Sequence, residues 1–209
     1  KTTIIDKVEA DDIIAVLSKR LVEKHNSTCF IVSSDKDFLQ LVTDKIILYR
    51  PMEKEYYTPQ TVKDKFGVLA QNFILYKTLL GDNSDNIPGV KGLGAKGIFK
   101  KFPELQNKTL TLDDIFDISA GKFKEHVVYS RVIQDQNKLE NSYKVMDLSS
   151  PMINQQQIDY LEELISEDIP DLNSEMFIQL YNEDKLGGMI RNLDNWIKEN
   201  FEHFIGYKN

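Results

Sequence analysis

Seven acidic side chains stand in three short clusters within the first 85 residues of the chain. The clusters are Glu9-Ala10-Asp11-Asp12, Asp35-Lys36-Asp37 and Asp82-Asn83-Ser84-Asp85. Carboxylates brought close together repel one another, and burial raises their pKa values, unless cations neutralise them. Oxygen ligands in this number are those that Mg²⁺ or Mn²⁺ prefers. The three clusters therefore predict a divalent-metal site.

A loop rich in glycine and lysine follows the third cluster directly. Between Asn86 and Pro103 the chain has four lysines, four of its ten glycines and no Asp or Glu, although its formal net charge is -7. Backbone amides at a helix N-terminus can bind phosphate, and we expect contacts to a nucleic-acid backbone without base readout. The spacing is not that of a P-loop, because no Gly-Lys-Ser/Thr occurs. The candidate residues are Gly89, Val90, Lys91, Gly92, Gly94, Ala95, Lys96 and Lys100.

Each of these motifs also has an explanation that involves no chemistry. Acids in the first turn of a helix complement its macrodipole, aspartates form turns, and glycines permit positive φ angles. Taken singly, every cluster is compatible with such a structural role. The occurrence of all three acidic clusters together favours a shared site. Each cluster lies at the end of a predicted element, at the edge of an α/β sheet where ligands bind.

The spacing of apolar residues predicts where these elements lie. A helix is expected over 10–24, with the first acidic cluster in its first turn. The apolar run 28–33 is typical of a buried parallel strand, and the second cluster lies just beyond its carboxyl end. A second strand is predicted over 46–49. Further helices are predicted over 59–66, 70–80, 95–102, 122–136, 155–166, 174–182 and 189–204.

Composition limits the class of protein. The chain has 209 residues, of which 41% are hydrophobic and 28% charged, as expected for one domain with or without a small appendage. No apolar run approaches the roughly 20 residues that span a bilayer, and no signal-peptide pattern is present. Cys29 is the single cysteine, so an internal disulfide is excluded. We expect a cytoplasmic protein without a membrane segment.

Three motifs occur in a fixed order along the chain. They are Glu9-Ala10-Asp11-Asp12, the run from Ser33 to Leu41 (Ser-Ser-Asp-Lys-Asp-Phe-Leu-Gln-Leu) and the run from Gly81 to Val90. This set resembles the 5′-nuclease family of flap endonucleases, 5′-exonuclease domains of bacterial DNA polymerase I and phage 5′→3′ exonucleases. The resemblance covers residues 9 to about 103. Within the family, the small size of the chain and its sequence from Glu9 to Leu17 most resemble the phage ribonuclease H of T4-type viruses.

The resemblance implies an α/β fold. The chain would be the C-terminal part of a mostly parallel-sheet, PIN-like nuclease domain with a helix-hairpin or helix-3-turn-helix DNA-binding region and a helical tail. Residues 1–80 would form the metal-binding nuclease core, and residues 81–209 the duplex-binding region and the helical C-terminal part. Two or three strands do not make a stable sheet alone, so we expect a missing N-terminal segment with further strands upstream of Lys1.

The resemblance also implies a site with two Mg²⁺ or Mn²⁺ ions. Glu9, Asp11 and Asp12 would serve the first ion. Asp35, Asp37 and Asp85 would serve the second, with Asp82 as a ligand or an outer-shell partner. The family further implies a K⁺ ion held by carbonyl groups of the glycine-lysine loop. Two more aspartates and a basic arch belong to the family and would come from the upstream segment.

The implied activity is hydrolysis of phosphodiester bonds. We expect a metal-dependent 5′→3′ exonuclease or flap endonuclease, of the ribonuclease H type, that acts in replication on duplex DNA with a 5′ flap, a nick or an RNA primer. A sliding clamp or a single-strand-binding protein is an expected partner. Two alternatives stay open: a catalytically impaired, structure-specific DNA-binding module that uses the loop alone, and a PIN-like ribonuclease.

Overall fold

The fold combines a small sheet with many short helices, as seen in a computed structural model that describes residues 2–167 and 172–201. The helices and strands follow one another in chain order. They are α1 (Ala10–His25), β1 (Cys29–Val32), β2 (Ile46–Arg50), β3 (Glu55–Tyr57), α2 (Pro59–Phe66), α3 (Phe73–Leu80), β4 (Gly81–Asp82), β5 (Ile87–Pro88), α4 (Ala95–Lys101), α5 (Leu112–Gly121), α6 (Val127–Gln134), α7 (Gln136–Met146), α8 (Gln155–Ser166), α9 (Ser174–Glu183) and α10 (Leu193–Phe201). Single 3₁₀ turns span Asp37–Leu41, Ala70–Asn72 and Pro103–Gln106.

The three-stranded sheet has the order β1-β2-β3. β1 is parallel to β2, with Cys29 opposite Ile46, and β3 is antiparallel to β2. α1 packs against β1, and Ile31 is buried on the strand. Burial of the strand on both faces, as the apolar run predicts, is not seen: Phe30 and Val32 are 54% and 65% exposed. The described residues cover only one face of β1, so the apolar run exceeds what they bury.

Local sequence signals explain where several helices begin and end. The Thr58 side chain accepts a hydrogen bond from the Thr61 amide, Pro59 stands at the first helical position, and α2 ends at Gly67, whose φ is 66°. α1, α2, α4, α8 and α9 lie within a residue or two of their predicted bounds. The segment predicted as a helix over 70–80 begins as a 3₁₀ turn and becomes α3 at Phe73.

The helical region after Pro103 differs more from the prediction. α5 was not expected, although Thr111 and Asp114 form a reciprocal capping box at its start. The single helix predicted over 122–136 is instead α6, which the His126 side chain caps, followed after Asp135 by α7. Apolar periodicity continues through such breaks, so it does not reveal them. The helix predicted over 189–204 appears as α10, and residues 202–204 lie outside the described residues.

Residues 4–161 form one compact unit, and the described residues of 162–201, with Thr2 and Thr3, form a second. The first unit holds the sheet and one continuous core that includes Phe38, Leu48, Phe73 and Ile98. The functional division after residue 80 stays a prediction. No helix in the described ranges is both long enough and apolar enough to cross a membrane.

Candidate metal centre

Six of the seven predicted carboxylates line one cavity of about 500 Å³. Three come from the start of α1, two from the turn after β1 and one from the segment between β4 and β5. They are Glu9, Asp11, Asp12, Asp35, Asp37 and Asp85. Glu9 occupies the N-cap position of α1, yet its side chain makes no capping hydrogen bond. Capping therefore does not explain why an acid stands there.

Asp82, the seventh acid, lies next to this cluster of carboxylates but lines a different cavity. It lines a second cavity of about 610 Å³, to which Asp35 and Asp37 also contribute. Carboxylate oxygens of Asp37, Asp82 and Asp85 lie within 4.8 Å of one another. The short antiparallel pair of β4 and β5, which the sequence analysis treated as loop, holds the segment that carries Asp82 and Asp85.

Lys77, on α3, neutralises part of this group. Its ammonium forms ion pairs with Asp37 and, at 2.6 Å, with Asp82. Burial alone would lower the pKa of Lys77, but the hydrogen bonds to both carboxylates outweigh it and raise that pKa. The hydrogen bonds from Lys77 and Ser84 lower the pKa of Asp82 to about 2. Asp82 therefore stays ionised at neutral pH.

Asp11 and Asp37 show the opposite effect. Burial raises the pKa of Asp11, and the charges of Asp35, Asp37, Glu9 and Asp12 raise it further. Burial also raises the pKa of Asp37, and the hydrogen bond from Lys77 offsets this only in part. Acids from α1 and from the turn after β1 thus repel one another across the cavity. Such repulsion is what a bound divalent cation would relieve.

The turn after β1 is held by its own side chains. The Ser33 hydroxyl accepts from the Asp35 amide at 3.1 Å, and an Asp35 carboxylate oxygen accepts from the Asp37 amide at 2.8 Å. Arg50, which is buried at the end of β2, donates to the Ser34 carbonyl at 2.7 Å. These contacts fix the direction in which Asp35 and Asp37 leave the strand.

Gln40 connects the same turn to the end of α7. Its side-chain amide donates to the Met146 carbonyl, and its carbonyl accepts from the Leu148 amide, both at 3.0 Å. This two-point contact brings Asp147 and Lys144 to the lining of the 500 Å³ cavity. The cavity wall therefore includes a segment more than 100 residues away in sequence.

The glycine-lysine loop packs backbone against backbone beside the carboxylates. A Cβ atom at Gly89 would lie 2.2 Å from the Leu80 carbonyl group, and one at Gly81, whose φ is 85°, would lie 2.3 Å from the Gly89 amide nitrogen. The Val90 amide donates to the Leu79 carbonyl at 2.9 Å. Larger residues at these two glycines would force the loop away from α3.

The candidate DNA-binding residues fall into three groups by exposure. Val90 is 3% exposed and belongs to the core, so only its backbone could contact a ligand. Lys91, Lys96 and Lys100 are exposed, as are Gly92 and Gly94. Ala95 and Gly89 are partly buried. α4 has only seven residues, so the lysine side chains are the stronger candidates for phosphate contacts.

Four residues of this region were missed by the sequence analysis as parts of a site. Lys77 had a recognisable signal, because a lysine within the apolar helix from Phe73 to Leu80 needs a buried partner. Gln40 lies in a motif that was quoted, but its contact is distant in sequence. Asp147 and Arg131, whose guanidinium donates to the Lys91 carbonyl at 2.7 Å, offered no local signal.

The donor set fits a divalent metal ion. Three carboxylates offer oxygens within 4.8 Å of one another, and the other four predicted acids line the 500 Å³ cavity. Hard oxygen ligands of this kind suit Mg²⁺ and Mn²⁺ better than softer metals. The Lys77 ammonium neutralises part of this negative charge. The remaining carboxylates could still bind a metal ion.

Comparison with known proteins identifies nucleases and DNA polymerases similar to this chain. A family model described as the 5′-3′ exonuclease, N-terminal resolvase-like domain matches residues 1–67. The 5′-3′ exonuclease of Aquifex aeolicus is 34% identical over 168 residues, which are 79% of this chain and 52% of that protein. DNA polymerase I of Bacillus subtilis is 40% identical over 125 residues, 58% of this chain and 14% of that polymerase.

Solved structures agree with the sequence relatives. T5 5′-exonuclease with bound zinc ions matches with a TM-score of 0.66 and 26% identity, over 78% of this chain and 61% of that one. T5 D15 flap endonuclease, solved with DNA and metal ions, matches with a TM-score of 0.65 and 25% identity over the same shares. The chain thus spans between about one seventh and three fifths of the length of these relatives. The α/β fold is similar to that of T5 5′-exonuclease, while the finer likeness to T4-type ribonuclease H stays a prediction. Over these regions the chain is similar to proteins of the 5′-nuclease family.

Proposed function

We propose that this chain is part of a metal-dependent 5′→3′ exonuclease or flap endonuclease. Its reaction would be hydrolysis of phosphodiester bonds at 5′ ends, flaps, nicks or RNA primers on duplex DNA. The observation that carries the proposal is the convergence of six carboxylates, from three separate segments, on one cavity. Nuclease relatives that match the region of these acids support it.

The carboxylates would act as ligands for two Mg²⁺ or Mn²⁺ ions. Glu9, Asp11 and Asp12 would serve one site, and Asp35, Asp37 and Asp85 the other. A bound pair of such ions supplies an activated water and charge stabilisation for the leaving oxygen. Asp82, which Lys77 and Ser84 hold ionised, would be a ligand or an outer-shell partner that orients the second site.

Residues from Gly81 onward would form the duplex-binding region, of the helix-hairpin or helix-3-turn-helix type. Lys91, Lys96 and Lys100 are exposed on one loop and the helix after it, and contacts of lysine to phosphates position a duplex without reading its sequence. A K⁺ ion at the loop carbonyls and a clamp or single-strand-binding partner are further parts of this proposal.

The test is cleavage of a labelled 5′-flap DNA, with single-stranded RNA of the same sequence as competitor substrate, in Mg²⁺ and in EDTA. We expect Mg²⁺-dependent release of the flap and slower cleavage of the RNA. Preferential cleavage of the single-stranded RNA would favour a PIN-like ribonuclease. For the aspartate variants described below, the matched control is Asp113→Asn, which changes an exposed acid of α5.

One observation favours a second candidate, a structure-specific DNA-binding module with impaired catalysis. Lys77 pairs with both Asp37 and Asp82, so part of the acidic group is stable without metal. In that case duplex binding would persist in Asp37→Asn, and wild-type protein would release no flap in Mg²⁺ or Mn²⁺.

A further inference from the structure

Arg131 joins α6 to the glycine-lysine loop. Its Nη1 atom donates to the Lys91 carbonyl oxygen at 2.7 Å, across 40 residues of sequence. α6 itself is anchored in the core by Val128, Tyr129 and Val132. The arginine therefore reaches the loop from a fixed helix rather than from a mobile segment.

Gly92 of the loop lies directly beside this guanidinium. Gly92 has a φ of 80°, and a Cβ atom built there would lie 2.9 Å from Arg131 Nη1. Gly94, by contrast, has a φ of -94° and open space where a Cβ atom would be. Of these two loop glycines, only Gly92 is required by its backbone conformation, and a side chain there would displace the end of the Arg131 side chain.

Most of the hydrogen-bonding capacity of Arg131 is still available. A guanidinium has five N–H donors, and the Lys91 carbonyl takes one of them. Within the described ranges, Arg131 forms no ion pair with any carboxylate. The chain from Asn86 to Pro103 contains no acid, so the charge of Arg131 adds to that of Lys91, Lys96 and Lys100.

We propose that Arg131 is a phosphate-binding residue of the duplex-binding surface, and that its bond to the Lys91 carbonyl orients it for that contact. This inference rests on the proposed duplex binding by the loop. Arginine binds phosphate with paired, planar donors, whereas lysine acts as a point charge. Arg131 would thus hold the phosphate in a defined direction beside the more mobile lysines.

The experiment measures affinity for a labelled nicked duplex by fluorescence anisotropy between about 25 and 200 mM KCl, with EDTA present to prevent cleavage. Arg131→Gln removes the charge but keeps an amide that can donate to a carbonyl. We expect it to weaken binding and to reduce the slope of log affinity against log salt by about 0.9, the value of one lost phosphate contact. Arg131→Lys should keep the slope.

Two further variants separate the possible outcomes. Arg20→Gln removes the same charge from α1 and should leave the slope unchanged, while the double variant Lys91→Ala, Lys96→Ala reports on the loop. A reduced slope in the loop variant with an unchanged slope in Arg131→Gln would overturn the role of Arg131 alone. A wild-type protein whose duplex affinity does not respond to salt, or is absent, would overturn the proposed duplex binding and this inference together.

Discussion

The ammonium nitrogen of Lys77 lies 2.6 Å from a carboxylate oxygen of Asp82 and also pairs with Asp37. The side chains are 11%, 16% and 18% exposed, respectively. One lysine of α3 therefore links the turn after β1 to β4. This group of charged side chains is therefore a structural element of the fold as well as a candidate metal site.

Lys77→Met should destabilise the metal-free protein. It leaves Asp37 and Asp82 as close like charges without a counter-ion, and breaking a buried pair by removal of one partner costs about 3 kcal/mol or more. We expect about 2 kcal/mol here, because the group still touches solvent. Urea unfolding with EDTA measures this loss, and the stabilisation by Mn²⁺ should be larger in the variant than in wild type. An unchanged midpoint in EDTA would contradict the account.

The pair should also give stability a specific dependence on pH. The folded pKa of Asp82 is about 2, against an ordinary value of 3.8. Because the unfolded chain takes up the proton first as pH falls, this contribution is present above about pH 4 and is lost between pH 4 and 2. Unfolding free energies of wild type and Asp82→Asn, measured across that range, should therefore converge toward pH 2. Parallel curves would show that Asp82 is not stabilised by its partners.

Asp11→Asn should stabilise the metal-free protein at neutral pH. Burial and four neighbouring acids raise the pKa of Asp11, so its ionised form disfavours folding once pH exceeds that raised value. The expected gain is roughly 0.2–1 kcal/mol, because Asp11 is only partly buried and solvent screens its charge. The control Asp113→Asn removes an acid that complements the first turn of α5, and should be neutral or slightly destabilising. A loss of stability in Asp11→Asn without metal would refute the repulsion.

Gln40→Ala should loosen the wall of the cavity. It removes both contacts to the end of α7 and leaves the Met146 carbonyl and the Leu148 amide without that partner, at an expected cost of about 1–3 kcal/mol. Gln60→Ala is the control, because Gln60 makes one exposed hydrogen bond to Asp64 and should change stability by less than about 0.5 kcal/mol. Thermal unfolding compares the two. Equal effects would mean that Gln40 has no special role.

Local patterns predicted much of this architecture. The apolar stripe of α1, the cap at Thr58 and the stop at Gly67 each depend on neighbours within a few residues, so the sequence contains the whole signal. The positions of the acids at element ends predicted that they would meet, and six of them share a cavity.

The remaining parts depend on contacts between distant segments. Lys77 meets Asp37 across 40 residues, and Gln40 meets Leu148 across 108. Apolar periodicity also passes through the break at Asp135 between α6 and α7, because buried positions recur on both sides of it. The position of Lys77 in an apolar helix indicates that it needs a buried partner, but nothing near it in sequence indicates that Asp37 and Asp82 are the acids it neutralises.

The central claim is that Asp37 and Asp85 help to bind a divalent metal ion. Calorimetric titration of Mn²⁺ into metal-free wild type, Asp37→Asn/Asp85→Asn and the control Asp113→Asn tests it directly, with circular dichroism to confirm that all three fold. Wild type and control should bind the ion and gain stability by mass action, about 2.7 kcal/mol at 100 times the dissociation constant. The double variant should lose both effects while it stays folded. If it binds Mn²⁺ with the stoichiometry and affinity of wild type, these carboxylates are not the metal site.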